Sequence, residues 1–127
     1  MGLSSNQARL NFLTLRKDDL EARLMMISAQ SQDLATKQAE LISRKSAALQ
    51  QFTNEMTSKE TDEKVSFETT AIYIDIENEM ALLEIADNNL TQQKNLAETE
   101  HQAVNAEKEE IQKLVDNNIK TSFKIFN

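Results

Sequence analysis

The chemistry open to this chain begins with His101, the only histidine among 127 residues that include no cysteine. His101 closes the run Glu98-Thr99-Glu100-His101, and Glu-x-x-His puts a carboxylate and an imidazole one helical turn apart. Helical bundles use that spacing to hold two metal ions, but such a centre takes two of these motifs plus carboxylates from two further helices. One chain with one histidine supplies too little, and only a symmetric dimer would complete it; the reading is a polar residue on a helix seam. Without cysteine there is no thiolate nucleophile, thiolate metal site or disulfide. The carboxylates are spread along helix faces, so no Ser-His-Asp or paired-carboxylate arrangement forms. Asn89-Leu90-Thr91 has the spelling of a glycosylation acceptor, yet Leu90 falls on the apolar stripe of a helix, and that reading is set aside. Met1-Gly2 opens like a myristoylation site but Asn6 stands where Ser or Thr is required. The expectation is no enzyme, with no catalytic residue, no metal, no cofactor and no small-molecule substrate.

Elements with few turns must carry these residues. The chain has one glycine and no proline, where average usage would give about nine and about six. Tight turns depend on those two residues, so sandwiches, barrels and nucleotide-binding α/β domains are excluded. Aromatics are 5% of residues, which leaves little for a thick core. Net charge is −7, unevenly placed: residues 1–54 carry seven bases and five acids, residues 55–87 two and ten, and residues 88–127 five and six. An acidic middle argues against nucleic acid or an anionic membrane as partner. No stretch reaches the ~18 apolar residues that span a bilayer, and no cleavable secretory signal opens the chain.

The apolar residues follow a seven-residue repeat. Leu13, Leu20, Ile27, Leu34, Leu41 and Ala48 form one stripe, with Leu10, Leu24 and Phe52 on its companion, where Lys17, Ser31, Gln38 and Lys45 also fall. In the second half Leu83, Leu90, Ala97, Val104 and Ile111 form a stripe beside Met80, Asp87, Lys94, His101, Lys108 and Val115. This predicts one all-α domain over 1–127, a long antiparallel helical hairpin or coiled coil: helix 4–58 capped by Ser4 or Ser5, a reversal over 59–75, helix 76–122 and an apolar tail 119–127. The expected register pairs Leu20 with Ile111, Ile27 with Val104, Leu34 with Ala97, Leu41 with Leu90 and Ala48 with Leu83.

At the reversal, Val65, Phe67 and Thr69, then Ile72, Ile74 and Ile76, alternate with polar residues. Two readings stand: a small β-hairpin at the tip, or the start of the second helix, since Thr69-Thr70-Ala71 lacks the residues of a good hairpin turn.

Apolar surface also lies off the seam, at Phe12, Leu15, Met25, Met26, Ile42 and Leu49 in the first helix and Leu82, Ile85, Leu96, Leu114 and Ile119 in the second. A two-helix pair has one internal interface, so burying these takes further chains. The candidate self-assembly residues are Leu10, Phe12, Leu13, Leu15, Ile119, Phe123, Ile125 and Phe126, because chain ends this apolar are ones that dock.

The opening Leu3-Ser4-Ser5-Asn6-Gln7-Ala8-Arg9-Leu10, with the Gln/Ser/Ala-rich helix after it, resembles the N-terminal helices of bacterial axial proteins, the flagellins and hook-associated proteins. Its pairing with a C-terminal helix ending Ser122-Phe123-Lys124-Ile125-Phe126-Asn127 is similar to those proteins and to type III secretion needle subunits. The chain is longer than a needle subunit, shorter than most flagellins, and lacks the proline-containing turn of the former. In topology alone it resembles a prefoldin subunit. The axial resemblance implies a structural subunit of a bacterial surface or extracellular filament, exported without a cleaved signal, whose partner is itself. The alternative expectation is a cytoplasmic coiled-coil chaperone or adaptor that binds a protein client.

Overall fold

The computed structural model describes residues 2–58 and 65–126, with side chains as far as Thr121. Two α-helices of 56 residues, α1 (Leu3–Ser58) and α2 (Ala71–Phe126), flank a single 3-10 turn at Phe67–Thr69. The fold is all-α, a helical hairpin, with no strand among the described residues. Helix α1 starts at Leu3, where the Gly2 carbonyl accepts from the Asn6 amide, so Ser4 and Ser5 sit in its first turn and do not cap it. No described residue has a positive φ, in keeping with the near absence of glycine. Threonines inside the helices return their hydroxyls to the carbonyl four residues back, as Thr53 does to Leu49 and Thr99 to Asn95. Among the described residues no helix is long and apolar enough to cross a membrane.

The contacts divide the chain into two compact units, Met1–Ser28 with Gln92–Asn127, and Ala29–Thr91. In the first, Leu13, Leu20, Ile27, Ala97 and Val115 are buried, and Leu20 is wholly closed off at 0% exposure. Leu10, Leu24, Val104 and Ile111 are half-buried beside them. In the second, Leu41 and Ile76 are buried, with Leu34, Tyr73, Met80, Leu83 and Leu90 half-buried. With the repeat written abcdefg, Leu10 and Leu13 are a and d of α1, and Met80 and Leu83 are a and d of α2. Asp87 and Lys94, though at a positions, stay exposed, and Ala86 takes the covered place next to Asp87. Their charges would cost too much to desolvate there without partners.

Of the two readings at the tip, the β-hairpin is not formed among the described residues, and the stretch from Ala71 opens the second helix. Ser66 accepts from the Glu68 amide and caps the 3-10 turn; Thr70, extended at φ −74°, ψ 148°, then accepts from the Tyr73 amide and caps α2. From there Tyr73, Ile76, Met80 and Leu83 face inward at helical spacing. The β-branched Ile72, Ile74 and Ile76 are carried as helix, because the cap and the seam outweigh a small propensity difference. Residues 59–64, the rest of the expected reversal, lie outside the described residues.

The register also differs from expectation. In the first unit Arg9 pairs with Glu107, Arg16 with Glu100, and Glu21 with His101 at 3.1 Å. Leu20 therefore lies across from the stretch around Glu100, about three helical turns short of Ile111. In the second unit Arg44 meets Glu79 and Lys45 meets Glu77, so Leu41 adjoins Leu82 and Leu83, not Leu90. Ala48 likewise shares a cleft with Thr70 and Ile72, not with Leu83. The slip arises because Phe67 packs beside Phe52, inside the last turns of α1, instead of beyond its end. A Glu21→Cys, His101→Cys pair is expected to be bridged by a short thiol cross-linker. A Glu21→Cys, Gln112→Cys pair, both at e positions that the Leu20–Ile111 register would bring together, is expected to stay unbridged; the reverse pattern would overturn the register.

Candidate interaction surface

The residues most suited to chemistry are tied into the hairpin. His101 lies half-buried at an a position of α2 with Nε2 3.1 Å from Glu21 Oε1, a structural contact across the pair. Glu98, its partner in the Glu-x-x-His spacing, points to Lys94 at 4.0 Å. Among the described residues no group of three His, Cys, Asp or Glu side chains is placed to hold a metal ion. Leu90 of the acceptor-like Asn89-Leu90-Thr91 is half-buried, and the Thr91 hydroxyl donates to the Asp87 carbonyl.

Charged side chains instead bind the two helices to each other. Arg16 donates to Glu100 across the pair and to Asp19 on its own helix. The hydrogen bond to Glu100 holds the guanidinium pKa further above its already high value, against a loss from burial. Lys45 donates to Glu77 at 2.7 Å and sits 5.1 Å above the Tyr73 ring. That hydrogen bond raises the ammonium pKa, with the charges of Glu77, Tyr73 and Glu68 adding to the effect. Three of the cross-pairs, Arg9–Glu107, Arg16–Glu100 and Arg44–Glu79, join a g position of α1 to a g position of α2.

Beside Lys45 an aromatic cluster holds the reversal. Phe67 lies 5.5 Å from Phe52 and 5.4 Å from Tyr73, the latter edge to face. Sequence reasoning left Phe67 between a strand and the start of the second helix and gave Tyr73 no role. The signal available was a local concentration of aromatics, since these three are half of all the aromatic residues of the chain, which has five phenylalanines and one tyrosine.

The candidate self-assembly residues are divided by the structure. Leu13 is 1% exposed and belongs to the chain's own seam, and Leu10 is half-buried on the same side. Phe12 at 55%, Leu15 at 69% and Ile119 at 47% are exposed, with the Arg9 guanidinium 5.2 Å over the Phe12 ring. The side chains of Phe123, Ile125 and Phe126 lie outside the described residues. Further large apolar side chains stand open on both helices, among them Met25, Met26, Ile42, Leu82, Ile85 and Leu96. In the second unit an open cleft of about 280 Å³ runs between the helices, floored by Leu41, Leu82 and Leu83 and rimmed by Lys37, Glu40, Arg44 and Glu79. Its rim holds equal numbers of each charge, so it repels neither an acidic nor a basic visitor. No protein family, curated protein or solved structure matches the chain.

Proposed function

We propose that the chain is a structural subunit whose work is to assemble with further copies of itself, and that it is not an enzyme. One observation carries this reading. The chain exposes 9755 Å² of accessible surface, whereas a compact monomer of its mass would expose about 6,800 Å². The roughly 2,900 Å² of surplus is room for more than one contact of about 800 Å² per partner. Leu15, Met25 and Leu96 are 69%, 74% and 71% exposed, and isolated soluble chains rarely leave so many large apolar side chains in water. A bacterial surface or extracellular filament is the form of assembly that the resemblance of the terminal helices to axial proteins implies. The exposed Phe12, Leu15 and Ile119 support contact near those ends.

The second reading, a chaperone or adaptor gripping a client, is favoured by the cleft over Leu41, Leu82 and Leu83, which is open and wide enough for a large apolar side chain. Sedimentation velocity and electron microscopy of the purified chain over a wide range of concentration separate the two. Species that grow with concentration are expected; a monomer or one small fixed oligomer at every concentration would overturn the leading reading.

A further inference from the structure

We infer that the first unit has a second register, reached when α2 slides along α1 by one heptad, about 10 Å, in which each cross-helix ion pair is exchanged for another. The slide is a movement within one chain, with two stops.

The g edge carries more cations than one register can use. Arg9, Arg16 and Arg23 stand one heptad apart on α1, while the facing g edge of α2 offers only Glu100 and Glu107. Arg9 takes Glu107 and Arg16 takes Glu100. Arg23 is left over and turns to Asp19 on its own helix at 3.9 Å, an aspartate that Arg16 also holds at 3.0 Å. Shift α2 so that each α1 residue meets the residue seven further along it, and Glu107 comes to Arg16 while Glu100 comes to Arg23. The spare cation is then Arg9, which already lies 5.2 Å over the ring of Phe12. Two pairs form in either register, and the third arginine has a resting place on its own helix in both.

The opposite edge makes the same exchange. There Glu21, at an e position, meets His101 Nε2 at 3.1 Å. Lys108 is the next a position along α2, so the slide puts it where His101 stood. Lys108 is half-buried, and among the described residues it has no ion-pair or hydrogen-bond partner. A partly dehydrated ammonium is better off beside a carboxylate, and the second register gives it one. The three cross-pairs of the first unit, Arg9–Glu107, Arg16–Glu100 and Glu21–His101, are thus replaced by Arg16–Glu107, Arg23–Glu100 and Glu21–Lys108.

The apolar seam does not oppose the movement. The d positions Leu13, Leu20 and Ile27 of α1 are all buried and offer nearly the same surface at each heptad, and Ala97, Val104 and Ile111 do so from α2. A slide of fewer residues would leave Glu100 and Glu107 between rungs, which is why there are two stops and no continuum. Backbone hydrogen bonds run within each helix, so none has to break. Phe67 beside Phe52 is the catch that favours the present stop. A partner touching both helices at this end would meet different neighbours in each register, so its binding would select one of them.

Two cysteine pairs in the full chain, neither of which replaces a residue of the ladder, read the two stops. Ser28→Cys with Lys94→Cys repeats the Glu21–His101 contact one heptad along both helices and is bridged by a short thiol cross-linker in the present register. Thr14→Cys with Val115→Cys is seven residues, about 10 Å, out of level now and comes level after the slide. Bridged monomer is measured on denaturing gels at low chain concentration, with circular dichroism to confirm that helicity is kept. The first pair is expected to give the major product and the second a minor one. Arg9→Ala, which removes a pair of the present register only, should raise the Thr14–Val115 yield about threefold; Arg23→Ala and Lys108→Ala, which remove pairs of the second register only, should lower it by a similar factor, on the scale of one exposed ion pair. Phe67→Ala should raise it further. A product that appears only with Phe67→Ala, and still follows the three charges, supports the slide with a catch that is complete in the wild-type chain. No Thr14–Val115 product in any background overturns the inference. So does a product whose yield ignores Arg9, Arg23 and Lys108, because that is fraying of the helix ends and no second register.

Discussion

Leu20→Ala is expected to lower the stability of the folded chain by about 3 kcal/mol, the largest loss from any single truncation. Leu20 is 0% exposed, at a d position of α1, between the Arg16–Glu100 and Glu21–His101 contacts that cross to α2. Its removal takes away the transfer free energy of the side chain and leaves a cavity that two helices pinned on either side close only in part. The measurement is urea unfolding followed by helicity, with the midpoint falling and the slope unchanged. Leu15→Ala, at 69% exposure and only five residues away, is the control and should change the midpoint little. Equal losses at the two sites would mean that the seam does not run where the structure puts it.

Phe67→Ala is the second large effect, about 2 kcal/mol, and its character differs. Phe67 is half-buried, but it is the ring that Phe52 of α1 and Tyr73 of α2 both touch. The seams alone do not select a register, because Leu, Ile and Ala recur every seven residues and a slip by one heptad meets equivalent neighbours. Phe67 beside Phe52 fixes where α2 begins along α1. The variant is therefore expected to lose stability and also to admit a slipped pairing, so that a Glu21→Cys, His101→Cys pair cross-links less completely in its background. If stability falls while cross-linking stays complete, the g–g ion pairs set the register without the aromatic cluster.

The same distinction explains what the sequence shows and what it conceals. The seam positions are legible because a seven-residue period is a one-dimensional signal: Leu13, Leu20, Ile27 and Leu41 can be marked by counting. The pairing of those seams is not, since it depends on contacts such as Arg44–Glu79 and Phe52–Phe67 between residues far apart in the chain. Residues 72–76 mislead for another reason. Ile72, Ile74 and Ile76 satisfy a period of two, while Tyr73, Ile76, Met80 and Leu83 satisfy the helical one, and the Thr70 cap together with the seam decides between them. On the candidate surface, the open apolar residues can be picked out as off-seam positions.

The ion pairs Arg9–Glu107 and Arg16–Glu100 are one heptad apart on both helices, seven residues forward on α1 and seven back on α2. The hairpin thus carries its own unit of length. A deletion of seven residues from one helix alone would set its ladder of partners out of step, but a matched loss of seven from each would bring the next rung into place. Within this first unit the two helices can therefore shorten in paired steps of seven while the surviving rung keeps its partner.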